Sequence, residues 1–284
     1  MTSKVLRVAL VLAALSVLGI ACVYALQERF VFRPPPLPAA LGRGATRVEY
    51  TASDGQRLAG YLVEPRCAVD CASGASGVQR GAILFFHGSS DLAGYDWATA
   101  WARDAATRTG LPVLLAEFRG FGGLSGRPTY EGEMRDARAA LAFVLARYAL
   151  DATHVVLVGH SLGAAVATKL ARERTVHALA LEAPFTTSVA VARYRYGTFI
   201  GWAAQFILRS PFAPLEDVPH IDAPISVVMG SRDQTVPPEM SRAVFRAARR
   251  KGVFLEIAGA GHHSFIDPAS ESYWTWFLRS VNTP

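Results

Sequence analysis

Cysteine is scarce in this chain, with three residues among 284, and no dense run of lysine or arginine is present. Cys67 and Cys71 lie together in the stretch CAVDCASGASG without a second pair of ligands nearby, which argues against a zinc site. The net charge of +6 is not concentrated in one basic patch, so nucleic-acid binding has little support. No internal repeat is visible. The length and the 51% hydrophobic composition suit a single α/β domain.

The amino-terminal segment from Val8 to Leu26 carries no charge over 19 residues, while Lys4 and Arg7 precede it. As a helix it would span roughly 28 Å, the thickness of a hydrocarbon core. We therefore predict a transmembrane signal-anchor over residues 1–29, with a cleaved signal peptide and a buried core helix as alternatives. The positive-inside rule then places the amino terminus in the cytoplasm and the remaining chain outside, in the periplasm of a bacterium. If the signal is cleaved, the protein is secreted.

A proline-rich stretch, RFVFRPPPLPAALG, follows the apolar segment and predicts an extended spacer over residues 30–44. The rest of the chain, residues 45–284, is expected to fold as one domain. Because the predicted exterior is oxidising, a disulfide between Cys67 and Cys71 is plausible. The alternative is that these are two loop thiols without a role.

Short apolar runs and helix-like runs alternate along the domain. Strand-like runs occur at 47–51, 58–63, 82–86, 112–117, 154–158, 177–181, 224–229 and 253–257. Helix-like runs occur at about 132–148, 162–173, 238–250 and 269–281. This alternation predicts an α/β fold whose mostly parallel sheet is covered by helices on both faces, with the first two strands forming an antiparallel hairpin at one edge.

Residues 183–222 interrupt the alternation with a connection about twice the usual length, rich in aromatic residues. We expect this insertion to form a short helical cap that lines a pocket. Phe185, Tyr194 and Trp202 are the candidate substrate-binding residues of the cap. Alternatively, some of these aromatic side chains only seal the cap against the domain.

The pentapeptide Gly159-His160-Ser161-Leu162-Gly163 follows the strand HVVLV and opens the helix LGAAVATKLA. A serine on such a tight strand-to-helix turn is held in a strained conformation, and the flanking glycines leave room for neighbouring backbone. The turn exposes the serine hydroxyl beside a helix amino terminus. Ser161 is therefore the candidate nucleophile, although a serine in this place can also simply cap the helix.

A serine nucleophile needs a base, and the base needs a carboxylate that orients it. Asp233 follows the strand PISVVM, and His262 follows the last strand in GAGHHSF, so both lie at carboxyl-terminal strand ends. Glu182 is the alternative acid. His263 is the alternative base, and we expect it to line the pocket together with His160.

Two backbone N–H groups are expected to bind the oxyanion of the tetrahedral intermediate. One is that of Leu162, directly after the nucleophile, and the other is that of Ser89 in the turn HGSS, where His87 is expected to hold the turn. The glycine-rich stretch GFGGLSG at 120–126 is a weak match to a dinucleotide loop, because no helix opens immediately after it.

The stretches FFHGSS, EFRGFGGLSGRPTYEGEMRDARAAL, GHSLGAAVA, GSRDQTVPP and GAGHHSF together resemble the α/β-hydrolase superfamily. Within it, they are most similar to the membrane-anchored BEM46-like serine hydrolases, the group of ABHD13- and ABHD17-type proteins. The similarity covers about residues 45 to 281. It implies the triad Ser161, Asp233 and His262, and ester, thioester or acyl-transfer chemistry without a metal or cofactor.

The sequence thus predicts a serine hydrolase that cleaves carboxylic esters or thioesters through an acyl-enzyme. The expected partners are a small-molecule or lipid-like acyl ester and, through the amino-terminal helix, a membrane. The same triad also serves peptidases and amidases, so these remain alternatives. A non-catalytic scaffold that binds a ligand through its cap is a further alternative.

Overall fold

The computed structural model describes residues 2–65, 81–266 and 269–283. The described strands are β1 (Thr46–Thr51), β2 (Arg57–Val63), β3 (Ala82–Phe86), β4 (Val113–Ala116), β5 (Val155–His160), β6 (Ala178–Glu182), β7 (Ile225–Gly230) and β8 (Lys251–Ile257). The described α-helices are α1 (Thr2–Val31), α2 (Asp96–Thr109), α3 (Tyr130–Tyr148), α4 (Leu162–Glu173), α5 (Ser188–Tyr196), α6 (Thr198–Ile207), α7 (Pro214–Asp217), α8 (Pro238–Ala247) and α9 (Glu271–Val281).

The eight strands form one sheet in the order β1-β2-β4-β3-β5-β6-β7-β8. β2 pairs antiparallel with β1 and β4, and every pair from β4 to β8 is parallel. Helices α3, α4 and α8 cover one face of the sheet, while α2 and α9 cover the other. The predicted α/β-hydrolase fold is therefore confirmed, including the antiparallel hairpin at one edge.

The parallel strands are buried over their whole length from β3 to β7, as their continuous apolar sequences require. Because β3 and β5 are neighbours near the middle of the sheet, the turns after these two strands open side by side. The turn after β3 is HGSS, and the turn after β5 carries Ser161. The topology thus brings together two segments that lie more than seventy residues apart in the chain.

The insertion at 183–222 contains helices α5, α6 and α7. Helix α5 begins at a cap in which the Thr187 hydroxyl accepts the N–H of Ala190 at 3.0 Å. On α6, Trp202 is 58% exposed and Phe206 is 71% exposed, and the two rings make an edge-to-face contact. The cap therefore carries an apolar surface that is not buried against the domain.

Helix α1 ends against this cap, where the Gln27 side chain donates to the Ile207 carbonyl at 2.8 Å and accepts the Arg209 N–H at 2.7 Å. In the described part of the chain, no helix combines the length and the apolar character that crossing a membrane requires. The predicted transmembrane signal-anchor, and with it the single-pass localisation with an extracytoplasmic domain, is therefore wrong. The last turns of α1 instead bury polar groups in protein contacts, since Gln27 and Glu28 are only 6% and 4% exposed.

The proline-rich segment after α1 contacts the domain. Phe32 is buried in the core, and the Arg33 N–H donates to the Ser89 carbonyl at 2.9 Å. Further on, the Gly42 N–H donates to the Gly94 carbonyl at 2.7 Å. The segment therefore lies along the domain beside the turn that follows β3. Cys67 and Cys71, for which a disulfide is predicted, lie outside the described residues.

Candidate active site

The turn between β5 and α4 places Ser161 in a strained backbone conformation, with φ 54° and ψ −112°. Both flanking glycines are required by close backbone contacts. A Cβ atom on Gly159 would lie 2.6 Å from the Ala164 nitrogen, and one on Gly163 would lie 2.6 Å from the His87 carbonyl oxygen. Glycine is therefore needed at both positions, because a larger residue would not fit the sharp turn that packs against β3.

Two hydrogen bonds fix the backbone of the serine. The Ser161 N–H donates to the Glu182 carbonyl at 2.8 Å, and its carbonyl accepts the Ala164 N–H at 3.1 Å. The Leu162 N–H lies in the first turn of α4, where amide groups have no intrahelical acceptor. The predicted oxyanion donor Leu162 is thus next to the serine at a helix amino terminus.

The carboxylate of Asp233 receives the His262 ring. Its Oδ2 lies 2.6 Å from His262 Nδ1, while its Oδ1 accepts the N–H groups of Thr235 at 2.8 Å and Val236 at 2.9 Å. Asp233 is buried, at 5% exposure. Since a carboxylate can only accept, Nδ1 carries the proton, and Nε2 of His262 is left as the acceptor for another group.

The loops that carry this acid and this base are joined to each other. The Arg232 N–H donates to the Ala260 carbonyl at 2.9 Å, and the Gly259 N–H donates to the Ser231 hydroxyl at 2.8 Å. A Cβ atom on Gly230 would lie 2.5 Å from the Gly261 carbonyl oxygen, so the backbones of the two loops are in close contact. The acid loop and the base loop therefore form one unit.

Ring contacts place His262 beside the serine turn. The His160 ring, one residue before Ser161, lies 4.9 Å from the His262 ring and 4.8 Å from the His263 ring. Ser161, Asp233 and His262 thus follow the carboxyl ends of β5, β7 and β8 at one edge of the sheet. Asp233 contacts His262, while the alternative acid Glu182 faces His160 at 3.7 Å.

The turn after β3 lies against the nucleophile. A Cβ atom on Gly88 would lie 3.6 Å from Ser161 Cβ, so the predicted oxyanion donor Ser89 follows a residue that lies beside the serine. His87 holds this turn, because its Nδ1 contacts the Gly88 carbonyl at 2.8 Å and its Nε2 contacts Glu117 at 2.7 Å. Both ring nitrogens face acceptors. Burial opposes the charge on His87, but the charge and hydrogen bonds of Glu117 and the Gly88 carbonyl raise its pKa.

The predicted substrate-binding residues occupy different surroundings. His160 is fully buried, and burial followed by the nearby His262, His263 and His87 lowers its pKa well below the ordinary value. His263 is exposed at the rim of the site. Phe185 packs in the hydrophobic core at 6% exposure, so it seals the domain.

The two remaining predicted substrate-binding residues lie on the cap helices. Tyr194 is exposed, and its hydroxyl donates to the Gln234 carbonyl at 3.3 Å, which connects α5 to the acid loop. Trp202 is exposed on α6 next to Phe206. The cap is therefore tied to the site through Tyr194, whereas Trp202 lies on its apolar outer surface.

A buried polar network behind His160 was missed by the sequence reasoning. The Tyr273 hydroxyl donates to Glu182 and accepts the Trp101 indole N–H at 2.7 Å. Burial raises the pKa of Glu182 to about 8, and the hydrogen bond from Tyr273 opposes this shift. The signal available in the sequence was the position of Glu182 at the end of an otherwise apolar strand. In the structure this residue pairs in register with His160.

A cavity of 460 Å³ lies where α1, the start of α3 and the cap meet. Tyr24, Glu28, Tyr130 and Arg209 are among its lining residues. The residues of the serine turn and of the acid and base loops do not line it. This cavity is therefore separate from the cluster of Ser161, Asp233 and His262.

A mostly parallel eight-stranded sheet with a strained serine on the turn after a central strand defines the α/β-hydrolase class of protein. A model of the alpha/beta hydrolase family matches residues 83–214. The uncharacterised protein Rv2307c of Mycobacterium tuberculosis is 32% identical over 247 residues, which cover 85% of this chain and 82% of that protein. The chain belongs to the alpha/beta hydrolase family.

More distant similarities agree with this family. The lysophosphatidylserine lipase ABHD12 of Macaca fascicularis is 30% identical over 181 residues, covering 58% of this chain and 45% of that protein. The structure of the Pyrococcus furiosus esterase Pf2001 superposes with a TM-score of 0.66 at 18% identity, covering 88% of this chain and 98% of the esterase. At that identity the esterase supports the fold alone.

Proposed function

We propose that the protein is a serine hydrolase of the BEM46-like type, which cleaves carboxylic ester or thioester bonds through an acyl-enzyme. The observation that carries the proposal is the 2.6 Å contact between Asp233 and His262, in a loop unit that lies beside the strained Ser161 turn. A buried carboxylate on Nδ1 fixes the histidine tautomer whose Nε2 can accept a proton. Asp233 and His262 thus supply what a serine nucleophile needs.

In the first half-reaction, Ser161 Oγ attacks the carbonyl carbon of the ester while its proton passes to His262 Nε2. The tetrahedral intermediate collapses when the bond to the alkoxide or thiolate leaving group breaks, and His262 gives that proton to the leaving group. In the second half-reaction, water attacks the acyl-enzyme with His262 again as base. Carboxylic acid is released and Ser161 regains its proton.

The negative oxygen of each tetrahedral intermediate is stabilised by two backbone donors in this proposal. The Leu162 N–H lies at the amino terminus of α4, and the Ser89 N–H lies in the turn that His87 holds. The Arg33 N–H fixes the Ser89 carbonyl from the other side at 2.9 Å. A donor on a fixed turn needs no reorganisation when charge develops on the oxygen.

The substrate is an ester with an apolar, lipid-like acyl group. The cap carries exposed aromatic side chains, Trp202 and Phe206 among them, which supports an apolar substrate that approaches along the cap. The relative named lysophosphatidylserine lipase supports a lipid ester as well. His263 at the rim and Tyr194 on α5 are the residues that would meet the leaving group or the chain.

A fluorophosphonate probe tests the nucleophile. The purified full chain is expected to be labelled at Ser161, and Ser161→Ala is expected to be unlabelled. Labelling of neither protein would overturn the proposal and favour a ligand-binding scaffold, and equal labelling of both would overturn Ser161 as the nucleophile. A panel of p-nitrophenyl esters of increasing chain length, acyl thioesters and aminoacyl amides then identifies the bond. Faster cleavage of amides than of every ester would replace the esterase proposal by an amidase.

A further inference from the structure

Three imidazole rings form a nearly equilateral triangle at the candidate active site. The ring centres of His160 and His262 are 4.9 Å apart, those of His160 and His263 are 4.8 Å apart, and those of His262 and His263 are 4.9 Å apart. Each ring offers one nitrogen such that all three nitrogens lie within 4.8 Å of one another. The hydrolytic mechanism uses only one of these rings.

His160 is the unexplained member of the triangle. Its side chain is fully buried, and neither ring nitrogen has a hydrogen-bond partner among the described residues. A buried polar group without a partner costs roughly 1–3 kcal/mol, so a fold keeps one where a ligand or a function compensates. Its Nδ1 faces Glu182 Oε2 at 3.7 Å, and its Nε2 has no hydrogen-bond partner among the described residues, so Nε2 is open to a ligand.

The triangle has the dimensions of a three-histidine metal site. With Zn–N bonds of about 2.1 Å and a tetrahedral angle, the ring centres of two ligating histidines are about 5 Å apart, and their nitrogens are about 3.4 Å apart. The observed ring centres already match this separation. The nitrogens, which lie within 4.8 Å of one another, must approach further, and the exposed His263 is the ring that can turn toward the other two.

The surroundings also suit a cation. Ligating histidines in proteins usually have a carboxylate or carbonyl at the other ring nitrogen, which orients the ring and strengthens it as a ligand. His262 has Asp233 at 2.6 Å from Nδ1, and Glu182 lies near Nδ1 of His160 at 3.7 Å. In addition, the buried Asp91 has a carboxyl oxygen without a hydrogen-bond partner among the described residues, and its charge acts on His263.

We propose that His160, His262 and His263 bind a divalent transition-metal ion such as Zn²⁺ or Cu²⁺, and that the bound ion inhibits hydrolysis. Inhibition follows because the ion occupies Nε2 of His262, which then cannot accept the proton of Ser161. This regulatory role rests on the proposed function, whereas the metal site itself does not. Imidazole ligands favour Zn²⁺ and Cu²⁺ over Mg²⁺ and Ca²⁺, which prefer oxygen.

The test uses the full chain after treatment with a chelator. Zn²⁺ alone is titrated by calorimetry into the wild type, Ser161→Ala, His263→Ala and the control His220→Ala, which removes an exposed histidine outside the site. We expect one Zn²⁺ per chain for the wild type, Ser161→Ala and His220→Ala. We expect His263→Ala to lose affinity by about tenfold or more. The site would be overturned if the wild type showed no saturable Zn²⁺ binding, or if His263→Ala bound Zn²⁺ as tightly as the wild type.

Inhibition is measured separately on an ester. We expect Zn²⁺ to stop turnover over the same concentration range in which it binds, a chelator to restore the rate, and Mg²⁺ to have no effect. For each protein, we measure the Zn²⁺ concentration that halves its own metal-free rate. This concentration is expected to be about tenfold or more higher for His263→Ala than for the wild type. Zinc binding without inhibition would overturn the regulatory role alone. Zinc binding by a chain that hydrolyses no substrate would overturn the proposed function and leave the metal site standing.

Discussion

Gly163 in the first turn of α4 packs directly on the carbonyl oxygen of Phe86 at the end of β3, with no space between them for a Cβ atom. Two backbone segments at such close approach can accept only glycine. This contact sets how near the serine turn lies to the turn that carries Ser89. Packing of the backbone and the chemistry of the site therefore depend on the same residue.

We expect Gly163→Ala to destabilise the protein by about 3 kcal/mol or more, because the rigid backbone on both sides cannot make room. The matched control is Gly19→Ala in α1, where a new Cβ meets nothing within 4 Å. Alanine is the better helix former by up to about 1 kcal/mol, so the control is expected to be neutral or stabilising. Urea unfolding of both variants measures the difference. Equal free energies of unfolding would contradict the close contact described for Gly163.

We expect Asp233→Asn to lower kcat by about 10⁴ with little change in KM. The N–H groups of Thr235 and Val236 would hold the amide oxygen, so the amide N–H₂ would face His262 Nδ1. The histidine proton would then move to Nε2, which could no longer accept a proton from Ser161. Steady-state kinetics on one ester measure the effect, and Glu182→Gln is the control for the alternative acid. A dead Glu182→Gln beside an active Asp233→Asn would reverse the assignment.

The neighbouring histidines are separated by kinetics. We expect His262→Ala to reduce kcat by up to about 10⁶, because the proton acceptor is lost. We expect His263→Ala to change mainly KM or chain-length preference, because that ring is exposed at the rim. If His263→Ala is inactive and His262→Ala is active, then His263 and not its neighbour is the base.

The amide of Arg33 can be tested without changing the domain itself. Arg33→Pro removes the N–H that holds the Ser89 carbonyl, and we expect kcat to fall between about two- and tenfold, the equivalent of one hydrogen bond. Arg33→Ala keeps the amide and is expected to retain the wild-type kcat. Loss of activity in both variants to the same extent would assign the effect to the arginine side chain instead.

The raised pKa of Glu182 predicts a pH dependence of stability. Because the folded state holds this proton up to about pH 8 and the unfolded state releases it near 4.5, the ordinary pKa of a glutamate, the folded state binds more protons between these values. The contribution of Glu182 to the free energy of unfolding is therefore present at low pH and is lost as pH rises through this window. The loss is expected to be on the order of a few kcal/mol.

Glu182→Gln removes this dependence while keeping an acceptor for the Tyr273 hydroxyl. We expect the variant to gain stability relative to the wild type as the pH of urea unfolding is raised from about 5 to about 8. Taking the difference between the two proteins cancels the titrating groups that lie away from Glu182. If the free energy of unfolding of the variant minus that of the wild type stays constant or decreases as pH rises, the raised pKa is contradicted.

The strands of the sheet were predictable because a buried parallel strand must be apolar throughout, as in β3 and β5. Helix α2 was missed because most of its buried positions are alanines, which give a weak periodic signal between polar residues. The serine, acid and base candidates were found because each follows a strand at its carboxyl end. Glu117 beside His87, Asp91 near His263 and Tyr273 on Glu182 were not found, because contacts between distant segments leave no local pattern.

The amino-terminal helix shows a different kind of failure. Its apolar run matched the length of a membrane span, and that match concealed the contacts of the helix end with the cap. The hydrogen bond from Arg33 to Ser89 was equally invisible, because it joins main-chain atoms and depends on no side chain. Patterns of side chains cannot report such backbone contacts.

The joined loops after β7 and β8 have a consequence for inactivation by heat. β8 is the edge strand of the sheet, whereas the serine follows β5 in the interior. Loosening of the edge would carry Asp233 and His262 away together, since hydrogen bonds tie their loops into one unit. Asp233 would remain in contact with His262, while His262 would move away from Ser161. Activity would then disappear below the unfolding temperature and return on cooling, because the separated parts would re-engage without refolding.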